Sequence, residues 1–165
     1  MAFSPIPRVC AASVYDLTAD FMRARGITLL LLDLDNTIAT YTEEVPSPAM
    51  RTWMKAMEDD GITLFLVSNN RTDRAGKFAA SAGIPYINRA GKPSPKALVR
   101  AMAQMKKAPG ETALVGDQVY TDVLAANSAG VLSIVVRPLD LKKPRFVLRF
   151  AVELPFRLLG GKESP

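Results

Sequence analysis

The chain has 165 residues, 48% apolar and 22% charged, which is enough for one globular domain with a sizeable core. Its single cysteine, Cys10, excludes an internal disulfide and a cysteine-based zinc site. The absence of histidine excludes histidine-dependent nucleophilic catalysis and histidine metal ligands, so carboxylates must carry any acid/base work. The net charge of +5 lies mostly at one end: residues 137–165 hold seven Lys/Arg against three Asp/Glu, leaving a near-neutral body. No apolar run approaches the length needed to span a bilayer, and no basic segment followed by a long apolar one opens the chain. A cytoplasmic location is therefore the expectation.

In chain order, residues 9–25 read as an N-terminal helical region closed by Gly26. An apolar run over 27–32 marks a strand, 28–33, buried on both faces and running into Asp33-Leu34-Asp35-Asn36-Thr37. A loop follows, then a helix over 48–60 with Ser47 as its cap, Pro48 at its first position and Gly61 past its end. A second buried strand, 63–68, runs into Ser68-Asn69-Asn70, and a helix over about 71–82 is ended by Gly83. A short strand at Tyr86-Ile87 leads to Gly91-Lys92-Pro93, and a helix over 94–107 comes next. Lys96 is a second lysine nearby, but it falls inside that helix. Strand 113–115 ends in Gly116-Asp117, a helix over 119–129 contains Thr121-Asp122 and is ended by Gly130, and strand 133–136 closes the alternation. Strands alternating with helices predict an α/β fold, a Rossmann-like parallel sheet with helices on both faces.

The polar residues worth explaining all fall at strand ends or in the loops beyond them, where open parallel sheets bind ligands. Carboxylates are costly to bury without a partner, and a metal ion would supply one. Taken singly, each signal has a plainer explanation. Ser68-Asn69-Asn70 also fits a turn with a helix cap, Lys92 a solvated loop lysine, and Asp117 a turn residue.

Together, and in this order, the acid pair, the hydroxyl, the lysine and the third acid resemble the haloacid dehalogenase (HAD) phosphatase superfamily over roughly residues 27–137. The Asp33–Thr37 string, the Gly116-Asp117-Gln118-x-x-Thr121-Asp122 loop and the leading Gly26-Ile27 look like the YqeG-type, subclass IIIA branch, which is related to phosphatidylglycerophosphate phosphatases. The resemblance implies a Mg²⁺-dependent phosphomonoester hydrolase. In that pattern Asp33 is the nucleophile that becomes an aspartyl-phosphate, and Asp35 is the acid and base. Ser68 and the Asn69 backbone N–H hold phosphate oxygens, with the following helix N-terminus behind them. Lys92 offsets charge. Mg²⁺ is held by Asp33, the main-chain carbonyl of Asp35 and Asp117, with Asp122 as a further candidate. The gaps 37–63 and 68–92 are too short for the cap domains many HAD enzymes carry, so a capless HAD-like domain over 1–137 is expected, with 138–165 as a basic amphipathic tail.

An uncapped site suits a phosphate presented by something large. In the tail, Arg145, Arg149, Glu153 and Arg157 recur every four residues, which on a helix makes one polar stripe within an apolar surface. Such a segment suits a membrane interface with its arginines at anionic headgroups, or packing against the domain body. The lead expectation is a phosphatase for phosphatidylglycerophosphate or a similar membrane-presented phosphate, with peripheral membrane association. A phosphatase for phosphoprotein or nucleic-acid 3′-phosphate ends is the alternative, although scattered aromatics and a neutral body make nucleic acid an unlikely partner. A non-enzymatic, receiver-like phospho-acceptor uses similar residues, but such modules have an adjacent acidic pair before the phosphorylated aspartate, and none precedes Asp33.

Overall fold

A computed structural model describes residues 4–161. Six parallel strands form one sheet: β1 (Val9–Ala11), β2 (Leu29–Leu32), β3 (Thr63–Val67), β4 (Tyr86–Ile87), β5 (Thr112–Gly116) and β6 (Leu132–Val136). Their order is β1-β6-β5-β2-β3-β4. The helices are α1 (Ala19–Arg23), α2 (Pro48–Asp59), α3 (Arg74–Ala82), α4 (Lys96–Met105), α5 (Leu124–Ala129) and α6 (Pro144–Leu159).

Strand β2 lies at the centre, with Leu32 level with Leu66 of β3 on one side and Val115 of β5 on the other. Its four leucines are fully buried, and successive side chains point to opposite faces of the sheet. Leu30 and Leu32 join the core under α1, α2 and α3, which includes Met22, Trp53, Met57 and Phe78. Leu29 and Leu31 join the other core, under α4 and α5, with Phe65, Leu98, Met102 and Ala126. Burial on both faces is why the strand is continuously apolar rather than alternating.

Several expected boundaries hold for the expected reasons. Helix α2 starts at Pro48, capped by the Ser47 side chain accepting from the Met50 N–H. Gly83 and Gly130 end α3 and α5 in the left-handed conformation (φ of +74° at each). The N-terminal region departs from expectation. Residues 9–25 are not one helix: Val9–Ala11 is a strand in register with Ile134–Val136 of β6, followed by a 3₁₀ turn (Val14–Asp16) and the five-residue α1. The local pattern is too short to reveal a three-residue edge strand whose partner lies about 125 residues away.

Helix α3 also begins later than expected, at Arg74 rather than near residue 71. Asn70 Oδ1 accepts from the Thr72 N–H at 2.8 Å and from the Thr72 hydroxyl at 2.6 Å, holding the chain in an Asn-centred turn. The segment 119–123 is π-helical before α5 proper. Neither the β2–β3 nor the β3–β4 connection contains an inserted domain; each carries a single helix.

Candidate active site

The C-terminal ends of β2, β3 and β5 meet at one place. Asp33 continues the β2–β5 pairing by one residue, its N–H donating to Val115 O at 2.9 Å. The chain then reverses through Asn36, which adopts a left-handed φ of +69° and donates its N–H to Ala39 O at 2.8 Å. Asn tolerates this conformation better than most residues. The reversal returns Thr37 to the site, where its hydroxyl donates to Asp33 Oδ2 at 3.1 Å.

Asp33, Asp117 and Asp122 offer carboxylate oxygens that all lie within 4.8 Å of one another, and all three residues are buried. Close approach at this point needs a glycine before Asp117: a Cβ at Gly116 would sit 2.2 Å from Asp122 Cγ. Lys92, with a side chain only 1% exposed, enters from the β4–α4 loop. Its ammonium donates hydrogen bonds to Asp33 Oδ1 at 2.6 Å and Val67 O at 2.8 Å, and forms an ion pair with Asp122 Oδ1 at 2.7 Å.

The charges tune one another. Burial works against the Lys92 ammonium, but the charges of Asp122 and Asp33 outweigh it and hold its pKa above the ordinary lysine range. Burial pushes the Asp117 carboxyl up to about 8, reinforced by Asp33 and Asp122 and opposed by Arg149. Burial and the crowding of three acids around one ammonium raise the Asp117 pKa even with Arg149 paired to it, and a cation held among them would relieve that repulsion. An all-oxygen donor set of this kind fits a hard divalent ion such as Mg²⁺.

The structure therefore brings together Asp33, Lys92, Asp117 and Asp122. The carboxylate of Asp35 lies outside that cluster. It pairs with the Arg74 guanidinium and accepts from Asn70 Nδ2 at 3.0 Å. Arg74 is itself fixed, its Nε donating to Glu43 O at 2.8 Å and another nitrogen to Thr40 O.

Ser68 is fully buried, and its Oγ accepts from the Asn70 N–H at 3.0 Å, which leaves the hydroxyl hydrogen for another acceptor. The Asn69 side chain is a brace: Nδ2 donates to Lys92 O at 3.0 Å, and Oδ1 accepts from the Lys92 N–H at 2.9 Å. With α3 starting at Arg74, the helix N-terminus expected just behind Ser68 is replaced by the Asn70 turn.

The C-terminal helix supplies residues that sequence reasoning did not assign to the site. Arg149 Nη2 donates to Asp117 Oδ2 at 2.6 Å, and Arg157 donates to Asp117 O at 2.5 Å and to Val136 O at 3.0 Å. Glu153, fully buried, pairs with Arg157 at 3.1 Å. Phe146 is buried and stacks on Tyr41 with ring centroids 5.2 Å apart. The charged stripe thus turns inward for Arg149, Glu153 and Arg157, correcting the expectation that these arginines face anionic headgroups. The physical reason is that Asp117 and the ends of β5 and β6 present buried acceptors that need donors. Leu148, Val152, Leu158 and Leu159 face outward, and Lys142, Lys143 and Arg145 are exposed at the start of the helix. Lys162 and Glu163 lie outside the described residues.

Comparison with known proteins bears on the family and the fold. The haloacid dehalogenase-like hydrolase family matches residues 12–130. The probable phosphatase YqeG of Bacillus subtilis (strain 168) is 31% identical over 156 residues, which is 94% of this chain and 90% of the relative. A putative 3-deoxy-D-manno-octulosonate 8-phosphate phosphatase from Vibrio cholerae has the same fold, with a TM-score of 0.58 at 16% identity, over 90% of this chain and 94% of that one. The Moraxella catarrhalis 3-deoxy-D-manno-octulosonate 8-phosphate phosphatase, solved with magnesium ion, phosphate ion and KDO, gives a TM-score of 0.55 at 21% identity, over 68% and 70% of the two chains.

Proposed function

The chain belongs to the haloacid dehalogenase-like hydrolase family, and on that premise we propose that it is a phosphatase that hydrolyses phosphomonoesters through an aspartyl-phosphate on Asp33. The observation that carries this reading is the position of the Asp33 carboxylate at the end of the central strand, 2.6 Å from a buried ammonium and within one cluster with two further acids.

In the first step an Asp33 oxygen attacks phosphorus, the ester P–O bond breaks, and Asp35 gives its proton to the departing alcohol oxygen. In the second step water attacks the phosphorus of the aspartyl-phosphate and passes a proton to Asp35. The Asp33–phosphorus link then breaks and inorganic phosphate leaves. Lys92 offsets negative charge on Asp33 and on the phosphoryl group. The Ser68 hydroxyl and the Asn69 backbone N–H would hold phosphoryl oxygens, since neither hydrogen is committed to an acceptor among the described residues. Asp33, Asp117 and the main-chain carbonyl of Asp35 would hold Mg²⁺, with Asp122 beside them; when bound, the ion neutralises phosphoryl charge. Asp122 also positions Lys92 through the 2.7 Å ion pair.

The test is steady turnover of p-nitrophenyl phosphate with Mg²⁺, lost in a folded Asp33→Asn variant. A single stoichiometric phosphorylation without turnover would instead support the phospho-acceptor alternative.

We further propose a membrane-presented phosphate, such as phosphatidylglycerophosphate, as substrate. Two features support it: neither connection around the site contains a cap, and the outer face of α6 exposes Leu148, Val152, Leu158 and Leu159 beside Lys142, Lys143 and Arg145. Among the described residues no helix is long and apolar enough to cross a membrane, and the association proposed is a peripheral one through the outer face of α6. Sedimentation with anionic vesicles, comparing the native chain with a Leu148→Glu, Leu158→Glu variant, tests this. Equal sedimentation of the two would remove α6 as the contact.

A further inference from the structure

The two oxygens of the Asp117 carboxylate have different neighbours. Oδ1 lies 3.5 Å from the Thr37 hydroxyl, which itself donates to Asp33 Oδ2 at 3.1 Å, so this oxygen is on the side of the acid cluster. Oδ2 accepts from Arg149 Nη2 at 2.6 Å, and the main-chain oxygen of Asp117 accepts from Arg157 Nη2. One member of the acid cluster is therefore gripped at side chain and main chain by two arginines about two helical turns apart on α6.

The rest of α6 supports that grip. Glu153, between the two arginines, is fully buried and pairs with Arg157 at 3.1 Å, and Arg157 also donates to Val136 O at the end of β6. Near the start of the helix, Phe146 is buried against Tyr41 of the β2–α2 loop, and the Arg149 guanidinium lies 5.6 Å from the Phe146 ring centroid. A helix lying on a domain ordinarily turns its apolar side inward; α6 turns charges inward and leaves Leu148, Val152 and Leu158 exposed. Buried charges are costly unless paired, and the partner that Arg149 finds is Asp117.

We infer that Arg149 is a positioning residue for the divalent-cation site: it holds Asp117 Oδ2 so that Oδ1 is presented to the cation alongside Asp33, and docking of α6 and binding of the cation promote one another. This rests on the assignment of Asp117 as a metal ligand in the phosphatase reading. A group that hydrogen-bonds a ligating carboxylate fixes its orientation, and losing such a group typically costs about 10–100-fold in metal affinity. Linkage is reciprocal, so a cation that binds better when Asp117 is held must in turn favour the docked helix.

In the experiment Mg²⁺ is titrated calorimetrically into the full chain, Arg149→Gln and Arg149→Lys. Amide hydrogen exchange of α6 is followed with and without Mg²⁺ in the native chain and in Asp117→Asn. Arg149→Gln is expected to bind Mg²⁺ about 10–100-fold more weakly, and Arg149→Lys to recover part of the loss. Mg²⁺ is expected to slow exchange across α6 in the native chain and to leave it unchanged in Asp117→Asn. Equal or tighter binding by Arg149→Gln overturns the inference, the guanidinium then being a bystander or a competitor of the cation. Exchange that is unchanged or faster with Mg²⁺ in the native chain overturns it as well, and that measurement decides the matter even where Arg149→Gln does not fold. Absence of Mg²⁺ binding by the native chain would strike the metal site itself and the role of Arg149 with it, whereas Mg²⁺ binding and p-nitrophenyl phosphate turnover without the linkage strike the role of Arg149 alone.

Discussion

Arg149, on the last helix, donates to Asp117, at the end of the central sheet, across 2.6 Å. The carboxylate is fully buried and the arginine side chain 23% exposed, so the helix reaches inward with a charge to meet an acid that nothing else among the described residues neutralises as directly. Removing the guanidinium leaves a buried acceptor unpaired. Arg149→Gln is expected to lower stability by about 1–3 kcal/mol, measured by chemical denaturation without metal. The loss should be larger at pH 9 than at pH 6, because Asp117 keeps its proton to about pH 8 and needs the cation only when ionised. A loss independent of pH would mean the arginine acts through packing alone.

The same carboxyl sets the pH dependence of the metal-free fold. Its folded pKa of about 8 lies above the ordinary value of 3.8, so the folded chain keeps a proton that the unfolded chain has released. Its contribution to stability is complete below the unfolded value and is lost as pH rises through the folded one. The melting temperature in EDTA is therefore expected to fall between pH 5 and pH 9, with the trend flattened in Asp117→Asn. Mg²⁺ should restore more stability at the upper end, where the ligand is already ionised. A melting temperature in EDTA that climbs steadily over this range would contradict the assignment.

Lys92 sits between two acids, 2.6 Å from Asp33 and 2.7 Å from Asp122. Breaking a buried pair by removing one partner costs on the order of 3–5 kcal/mol. Lys92→Met should show a loss of that size, and adding Asp122→Asn should recover part of it, since one uncompensated charge is removed as well. Strict additivity in that double-mutant cycle, read by denaturation, would show that the pair is not coupled.

Arg74 holds Asp35 and, through Glu43 O and Thr40 O, the loop that follows it. If Asp35 protonates the leaving oxygen, Arg74→Ala should slow esters of poor leaving groups more than p-nitrophenyl phosphate, as Asp35→Asn should, by an order of magnitude within the ~10²–10⁴-fold reach of general acid catalysis. Arg74→Lys should recover part of the loss. An equal loss for good and poor leaving groups would assign Arg74 to loop stability alone.

What the sequence by itself determined is local in origin. The continuous apolar run 29–32 reads as a doubly buried strand because each residue there is buried whichever face it takes. Ser47 with Pro48, and Gly83 and Gly130, mark helix ends because capping chemistry involves only near neighbours. Acids and a lysine at successive strand ends can be placed on one edge of a parallel sheet from the alternation of elements alone. Tertiary structure decided the rest. Which acid Lys92 binds, the pairing of Val9–Ala11 with β6, and the capture of Asp35 by Arg74 depend on partners dozens of residues away. The direction of the α6 stripe was open for a different reason. A row of charges on a helix is equally consistent with solvent, a membrane or a protein surface, and only the buried oxygens of Asp117 and Val136 turned Arg149 and Arg157 inward.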